Sequence, residues 1–173
     1  MPRGSCGLAL ETTLNRRELR RAWLELCIQS EPDIMITLVT NQRWDIPRMR
    51  QLVREFAGRM DDWGVGSTWA REARNRRLDG IFFIEHAGSN IHAHGLVRFP
   101  YGSESDIRMF GDKQWAAICP SGSIDITPID WVYGCATYCT KELQAPSYQE
   151  EQIVLMTEFM SPTSLSKRPT KQR

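Results

Sequence analysis

The spacing of apolar residues changes period several times along the chain, and each change marks an element. Leu19, Ala22, Trp23, Leu26 and Cys27 fall at i, i+3, i+4, i+7 and i+8, one face of a helix. Asn15 stands where an N-cap would, with Glu18 three residues on to complete a capping box. The predicted helix therefore covers about 15–29, and residues 1–13 carry no periodic signal. Glu31-Pro32-Asp33 breaks it, and the β-branched run from Ile34 to Thr40 reads as a buried strand. Asp45 caps a second helix with Pro47 in its first turn. Ile46, Met49, Leu52, Val53, Phe56, Met60 and Trp63 form its apolar stripe, which ends near Gly64 and Gly66. Residues 67–80 read as helix or irregular connection.

Two strands follow, Ile81 to His86 and Ile91 to Phe99, joined by Ala87-Gly88-Ser89-Asn90, a hairpin signal. Residues 104–118 predict a helix with weak caps, and Ile124 to Thr127 alternates like a half-buried strand. Asp130 opens a last strong helix through about Leu143, and 147–160 adds a peripheral element. The expected fold class is α+β, a central antiparallel sheet with helices packed on one face. One domain over 1–160, with its core at 34–143, precedes a polar, basic tail at 161–173 that is expected to be disordered.

Composition narrows the function classes. The 173 residues suffice for a core without staples. Lys plus Arg is 22 and Asp plus Glu is 21, a net charge of +1. That excludes a histone-like basic coat, but nucleic-acid binding needs only a local patch. The charge is uneven: 14 bases against 11 acids over 1–80, 4 against 10 over 81–160, and 4 bases with no acid over 161–173. Five cysteines, Cys6, Cys27, Cys119, Cys135 and Cys139, form an odd set that argues for reduced thiols and a cytoplasmic or nuclear setting. Cys135 and Cys139 lack a second pair at zinc spacing and read as thiols on a helix. No apolar run approaches membrane-spanning length, so no membrane partner is expected.

His92 and His94 alternate along a strand, so both imidazoles point to one face and can hold a metal together. With a four-residue turn at 87–90, Glu85 lies opposite His92 and joins them. With a three-residue turn the register slips and His86 takes that place. Glu85 is preferred, because a mixed nitrogen and oxygen site suits Mn²⁺ or Mg²⁺ with positions left for phosphate oxygen and water. On the last helix Trp131, Gly134, Tyr138 and Lys141 share one stripe, with Gly134 leaving open space beside the phenol. A phenol titrates near ~10, so a neighbouring ammonium or metal would help Tyr138 act as a nucleophile. Val132, Cys135, Cys139 and Leu143 form the core side. Tyr133 lies about 140° round the helix from Tyr138 and is a poor second nucleophile. Two arginine clusters, Arg16, Arg17, Arg20 and Arg21, then Arg71, Arg74, Arg76 and Arg77, are the candidate DNA contacts, together with the tail.

The order Ile36-Thr-Leu-Val-Thr40, then His92-Ala93-His94-Gly-Leu-Val, then Tyr138-Cys139-Thr140-Lys141 resembles the three motifs of HUH endonucleases. These are the rolling-circle replication initiators of plasmids and small single-stranded-DNA viruses, with relaxases and single-strand transposases as relatives. The Tyr-Cys-x-Lys string most resembles the initiator (Rep) branch. The resemblance implies a ferredoxin-like or RRM-like sheet and a divalent metal on His92 and His94, with Glu85 as third ligand. It further implies attack by Tyr138 on the scissile phosphate of single-stranded DNA at an origin stem-loop. The products would be a 5′-phosphotyrosine and a free 3′-hydroxyl, with Lys141 positioning the phosphate or supporting the tyrosine. No Gly-x-x-x-x-Gly-Lys-Ser/Thr string occurs, so the expectation is either a stand-alone nickase with a separate helicase as partner or a fragment of a longer initiator. Alternatives are a transposase or relaxase of the same superfamily, or a non-catalytic RRM-like module stacking bases on Phe83 and Phe99.

Overall fold

The computed structural model describes residues 8–167. The elements are α1 (Leu8–Gln29), β1 (Ile34–Val39), α2 (Ile46–Val65), β2 (Asp79–Glu85), β3 (His92–Arg98), α3 (Glu104–Ile118), β4 (Ser123–Pro128), α4 (Val132–Cys139), β5 (Ile153–Leu155) and α5 (Pro162–Ser166). The strands form one antiparallel sheet in the order β4-β1-β3-β2-β5. From β1 to β4 the chain runs β-α-β-β-α-β, the split βαβ arrangement of ferredoxin-like sheets. The fold is thus α+β with a central antiparallel sheet flanked by helices.

Strand alternation divides the core in two. Ile36, Leu38, Phe82, Ile84, Ala93 and Val97 point to the layer of α2 and α3, where Met49, Phe56, Met60 and Trp115 are fully buried. Ile81, Phe83 and Leu96 point the other way, against Cys27 of α1 and Ala136 and Cys139 of α4. Helices therefore cover both faces, not one as the element order suggested. The second layer depends on α1 and α4, which lie outside the β-α-β-β-α-β unit.

The caps explain where the helices start. Asp45 accepts from the Arg48 N–H and Pro47 occupies the first turn of α2, while Gly66, at φ 92°, closes it. The caps of α3 are stronger than expected, because Ser103 and Asp106 form a reciprocal capping box. Asn15 does not cap α1. The helix already runs from Leu8, since Leu, Ala and Glu favour it and an interior Asn costs only about 0.7 kcal/mol. The inward face of α1 is also rotated from the expected stripe. Trp23 meets Phe83 edge-on at 6.4 Å and Cys27 is buried, but Leu19 and Leu26 are exposed.

The last helix is shorter than predicted: α4 stops at Cys139 and a 3₁₀ turn, Lys141–Gln144, continues from Thr140. The peripheral segment supplies β5, which pairs with β2. The tail is ordered at its start, where Ser161 caps α5 and Ser164 is buried against the Ala70 carbonyl. The rest of the tail, from 168, and Cys6 lie outside the described residues. Cys27, Cys119, Cys135 and Cys139 are free thiols. No helix among the described residues is long and apolar enough to cross a membrane.

Candidate metal centre and nucleophile

The hairpin adopts the register of the four-residue turn, with Glu85 opposite His92 and Phe83 opposite His94. Glu85, His92 and His94 consequently share the sheet face that α4 covers. Glu85 is almost fully buried, and its Oε2 lies 3.4 Å from His92 Nε2 and 3.6 Å from His94 Nε2. His86 leaves the strand with a left-handed backbone, φ 56°, a conformation His tolerates better than most residues. That turn stacks its ring on His92 at 4.9 Å. Ligand atoms of Glu85, His86 and His92 lie within 4.8 Å of one another. Glu85 and His86 were alternatives in the sequence, yet both stand at the site.

The far nitrogens are held. His92 Nδ1 donates to the Asn90 carbonyl at 3.0 Å, which leaves Nε2, facing Glu85, as the candidate ligand atom. His94 Nδ1 meets the Thr37 hydroxyl at 3.0 Å, as the pairing of Thr37 with His94 between β1 and β3 dictates. His94 Nε2 is buried and has no hydrogen-bond partner among the described residues. A buried, unpartnered imidazole nitrogen is costly, and one aimed at a carboxylate oxygen beside a second imidazole fits a divalent cation. His92, His94 and Glu85, with His86 at the rim, are the residues that would hold it.

Burial alone would raise the Glu85 carboxyl. Contacts from His92, His94 and Lys141 outweigh it and hold the carboxyl well below the usual carboxylate range. The Glu85 carboxylate in turn raises the His92 imidazole above its ordinary value, against the opposing effect of burial.

Tyr138 and Lys141 complete the cluster. The Tyr138 ring packs edge-on against His94 at 5.0 Å and stays half exposed. Lys141 Nζ sits 4.0 Å from the Tyr138 ring centroid and donates to both oxygens of Glu85, at 2.8 and 2.6 Å. The space beside Gly134 is not open. The Trp131 ring fills it, and a Cβ there would lie 2.3 Å from that indole.

The arginines separate into different roles. Arg77 is buried: it pairs with Asp61 at 2.9 Å and lies over Trp69. It is an anchor of the fold rather than a DNA contact. Arg74 pairs with Asp79 and Arg76 with Glu72, while Arg71 is exposed. This cluster precedes β2 at the end opposite Glu85, about 20 Å away at ~3.3 Å per strand residue. Arg16 donates to the carbonyls of Ala145 and Pro146, and Arg20 to those of Thr140 and Thr137. Arg20 thus satisfies carbonyls at the C-terminal end of α4, and Arg16 holds the chain just after the 3₁₀ turn that carries Lys141. Arg17 and Arg21 are exposed, Arg21 pairing with Glu25.

Arg43 lies outside both arginine clusters singled out in the sequence. It is exposed on the β1–α2 loop, and its neighbours Gln42 and Trp44 accept from the hairpin N–H groups of Ile91 and Gly88. No local pattern marks a lone arginine whose loop docks on a distant hairpin. Phe83 and Phe99, the expected stacking aromatics, are buried. The exposed rings are Trp131, Tyr133 and Tyr138, on or beside α4. Comparison of the chain with family models, with curated proteins and with solved structures finds no match to any of them.

Proposed function

We propose that the protein is a metal-dependent nicking and joining enzyme of HUH type that acts on single-stranded DNA to initiate rolling-circle replication. The observation that carries this reading is the half-exposed Tyr138 packed against His94, whose Nε2 is buried, unpartnered and aimed at Glu85 Oε2. A divalent cation, Mn²⁺ or Mg²⁺, supplies Lewis-acid polarisation of a phosphoryl oxygen and a template for the phosphate. The chain's own residues do the rest. The Tyr138 phenol oxygen bonds to the scissile phosphorus as the bond to the 3′ oxygen breaks. The phenolic proton ends on the leaving 3′-hydroxyl, and the 5′-phosphate stays on the tyrosine. Conserving the ester lets the same 3′-hydroxyl, or another, reverse the step without ATP. Lys141 stands where it can meet the phosphate beside the phenol, Arg20 fixes the turn that carries it, and Arg43 offers a phosphate contact at the rim.

The test is to incubate the protein with Mn²⁺ and a panel of stem-loop oligonucleotides, and to look for a denaturation-resistant adduct. The expected result is an adduct mapped to Tyr138 by mass spectrometry and absent in Tyr138→Phe. An adduct that persists in that variant, or none with any single-stranded substrate, refutes the reading.

A further inference from the structure

The Glu85 carboxylate serves two sets of partners at once. Its Oε2 is the atom nearest both imidazole Nε2 atoms, at 3.4 and 3.6 Å, and it also accepts from Lys141 Nζ at 2.6 Å. Its Oε1 accepts from the same ammonium at 2.8 Å. The buried carboxylate of the candidate metal centre is thus already neutralised by a cation of the chain itself.

We infer that Lys141 and a divalent cation compete for Glu85, so that metal entry displaces the Lys141 ammonium toward Tyr138. This rests on the metal-centre reading above and adds a regulation to it. A metal joining His92, His94 and Glu85 takes an oxygen at about 2.0–2.2 Å. An ammonium kept on that same oxygen would stand within a few ångströms of a doubly charged ion, at the burial depth where repulsion is least screened.

The two partners of the ion pair differ in freedom. The Glu85 side chain is 1% exposed and lies on a central strand, so it cannot leave. The Lys141 side chain is 38% exposed on a flexible four-carbon stem. Its backbone is anchored, with Thr140 Oγ1 donating to the Ala136 carbonyl and Arg20 donating to the Thr140 carbonyl. The stem therefore swings while its root stays. Its outward path starts over the Tyr138 ring, 4.0 Å from Nζ. Metal entry would in this way deliver a cation to the phosphate that the phenol attacks.

The test is Mn²⁺ affinity, measured by electron paramagnetic resonance titration on the folded protein without DNA. Lys141→Met removes the competitor and should lower the Kd at least fivefold, whereas Lys141→Arg keeps the charge and should stay within twofold of wild type. Thermal melts check folding, and Lys141→Gln serves as a second neutral variant in which the same tightening must appear. Glu85→Gln separates the two claims. If it weakens Mn²⁺ binding at least tenfold but neither neutral variant tightens it, competition is refuted and the metal centre stands. If wild type and Glu85→Gln bind Mn²⁺ alike, or wild type binds none, both fall.

Discussion

Replacing Arg77 by Leu tests whether this residue holds the fold or the DNA. Its guanidinium and the Asp61 carboxylate are almost fully buried, with Nε 2.9 Å from Oδ2. Asp61 also accepts from the Leu78 N–H at 2.6 Å and the Tyr101 hydroxyl at 3.0 Å. Removing one partner of a buried pair leaves an uncompensated charge, at a cost of about 3–5 kcal/mol. For a chain of this length that lowers the Tm by about 6–20 °C. The pH dependence has a definite sign. Burial raises the Asp61 carboxyl, with Leu78, Arg77 and Tyr101 pulling against it. A carboxyl raised in the fold favours the native state below its unfolded pKa of about 3.9, and that contribution is lost as pH rises through the folded value. Without Arg77 the rise is larger, so the deficit should grow between pH 5 and pH 8. Thermal and urea denaturation at both pH values, with fluorescence-anisotropy titration of a single-stranded oligonucleotide, read both effects. A Tm within 2 °C of wild type together with weakened DNA binding would refute the reasoning and restore Arg77 as a DNA contact.

Arg43→Glu should weaken oligonucleotide binding about tenfold at low salt and reduce the salt slope by about one, with Tm unchanged; equal slopes would remove Arg43 from the interface. Gly95→Ala should destabilise by about 1–3 kcal/mol in urea, because a Cβ there lies 2.3 Å from the buried Phe82 ring, and a neutral result would mean that Phe82 shifts freely. Tyr138→Phe should abolish the covalent adduct while leaving the fold intact by circular dichroism. Lys141→Met should tighten Mn²⁺ binding.

Much of the architecture was legible in the chain because it is set locally. The apolar stripe of α2, its Asp45 cap and the run of β1 follow from periodicity and capping within a dozen residues. The hairpin register is local too: a four-residue turn and a period of two put Glu85 opposite His92. Those two facts already bring Glu85, His92 and His94 to one face; the helical stripe expected to join Tyr138 to Lys141 is instead cut at Cys139, and a 3₁₀ turn carries Lys141.

Tertiary structure decided whatever depends on partners remote in sequence. Arg77 became a core residue because Asp61, on α2, meets it across the fold, and no pattern in Arg71–Arg77 distinguishes it from its exposed neighbours. The inward face of α1 was set by Phe83, by the Thr140 carbonyl at the end of α4, which receives Arg20, and by the Ala145 carbonyl after the 3₁₀ turn, which receives Arg16. His86 joined the site through a left-handed backbone that the alternation of a strand does not predict. The pairing of Lys141 with Glu85 links residues 56 apart, and only the packing of α4 on the sheet brings ammonium, carboxylate and the two imidazoles together. Short-range spacing sets which way a side chain points; the charges it meets there are set by which surfaces fold against each other.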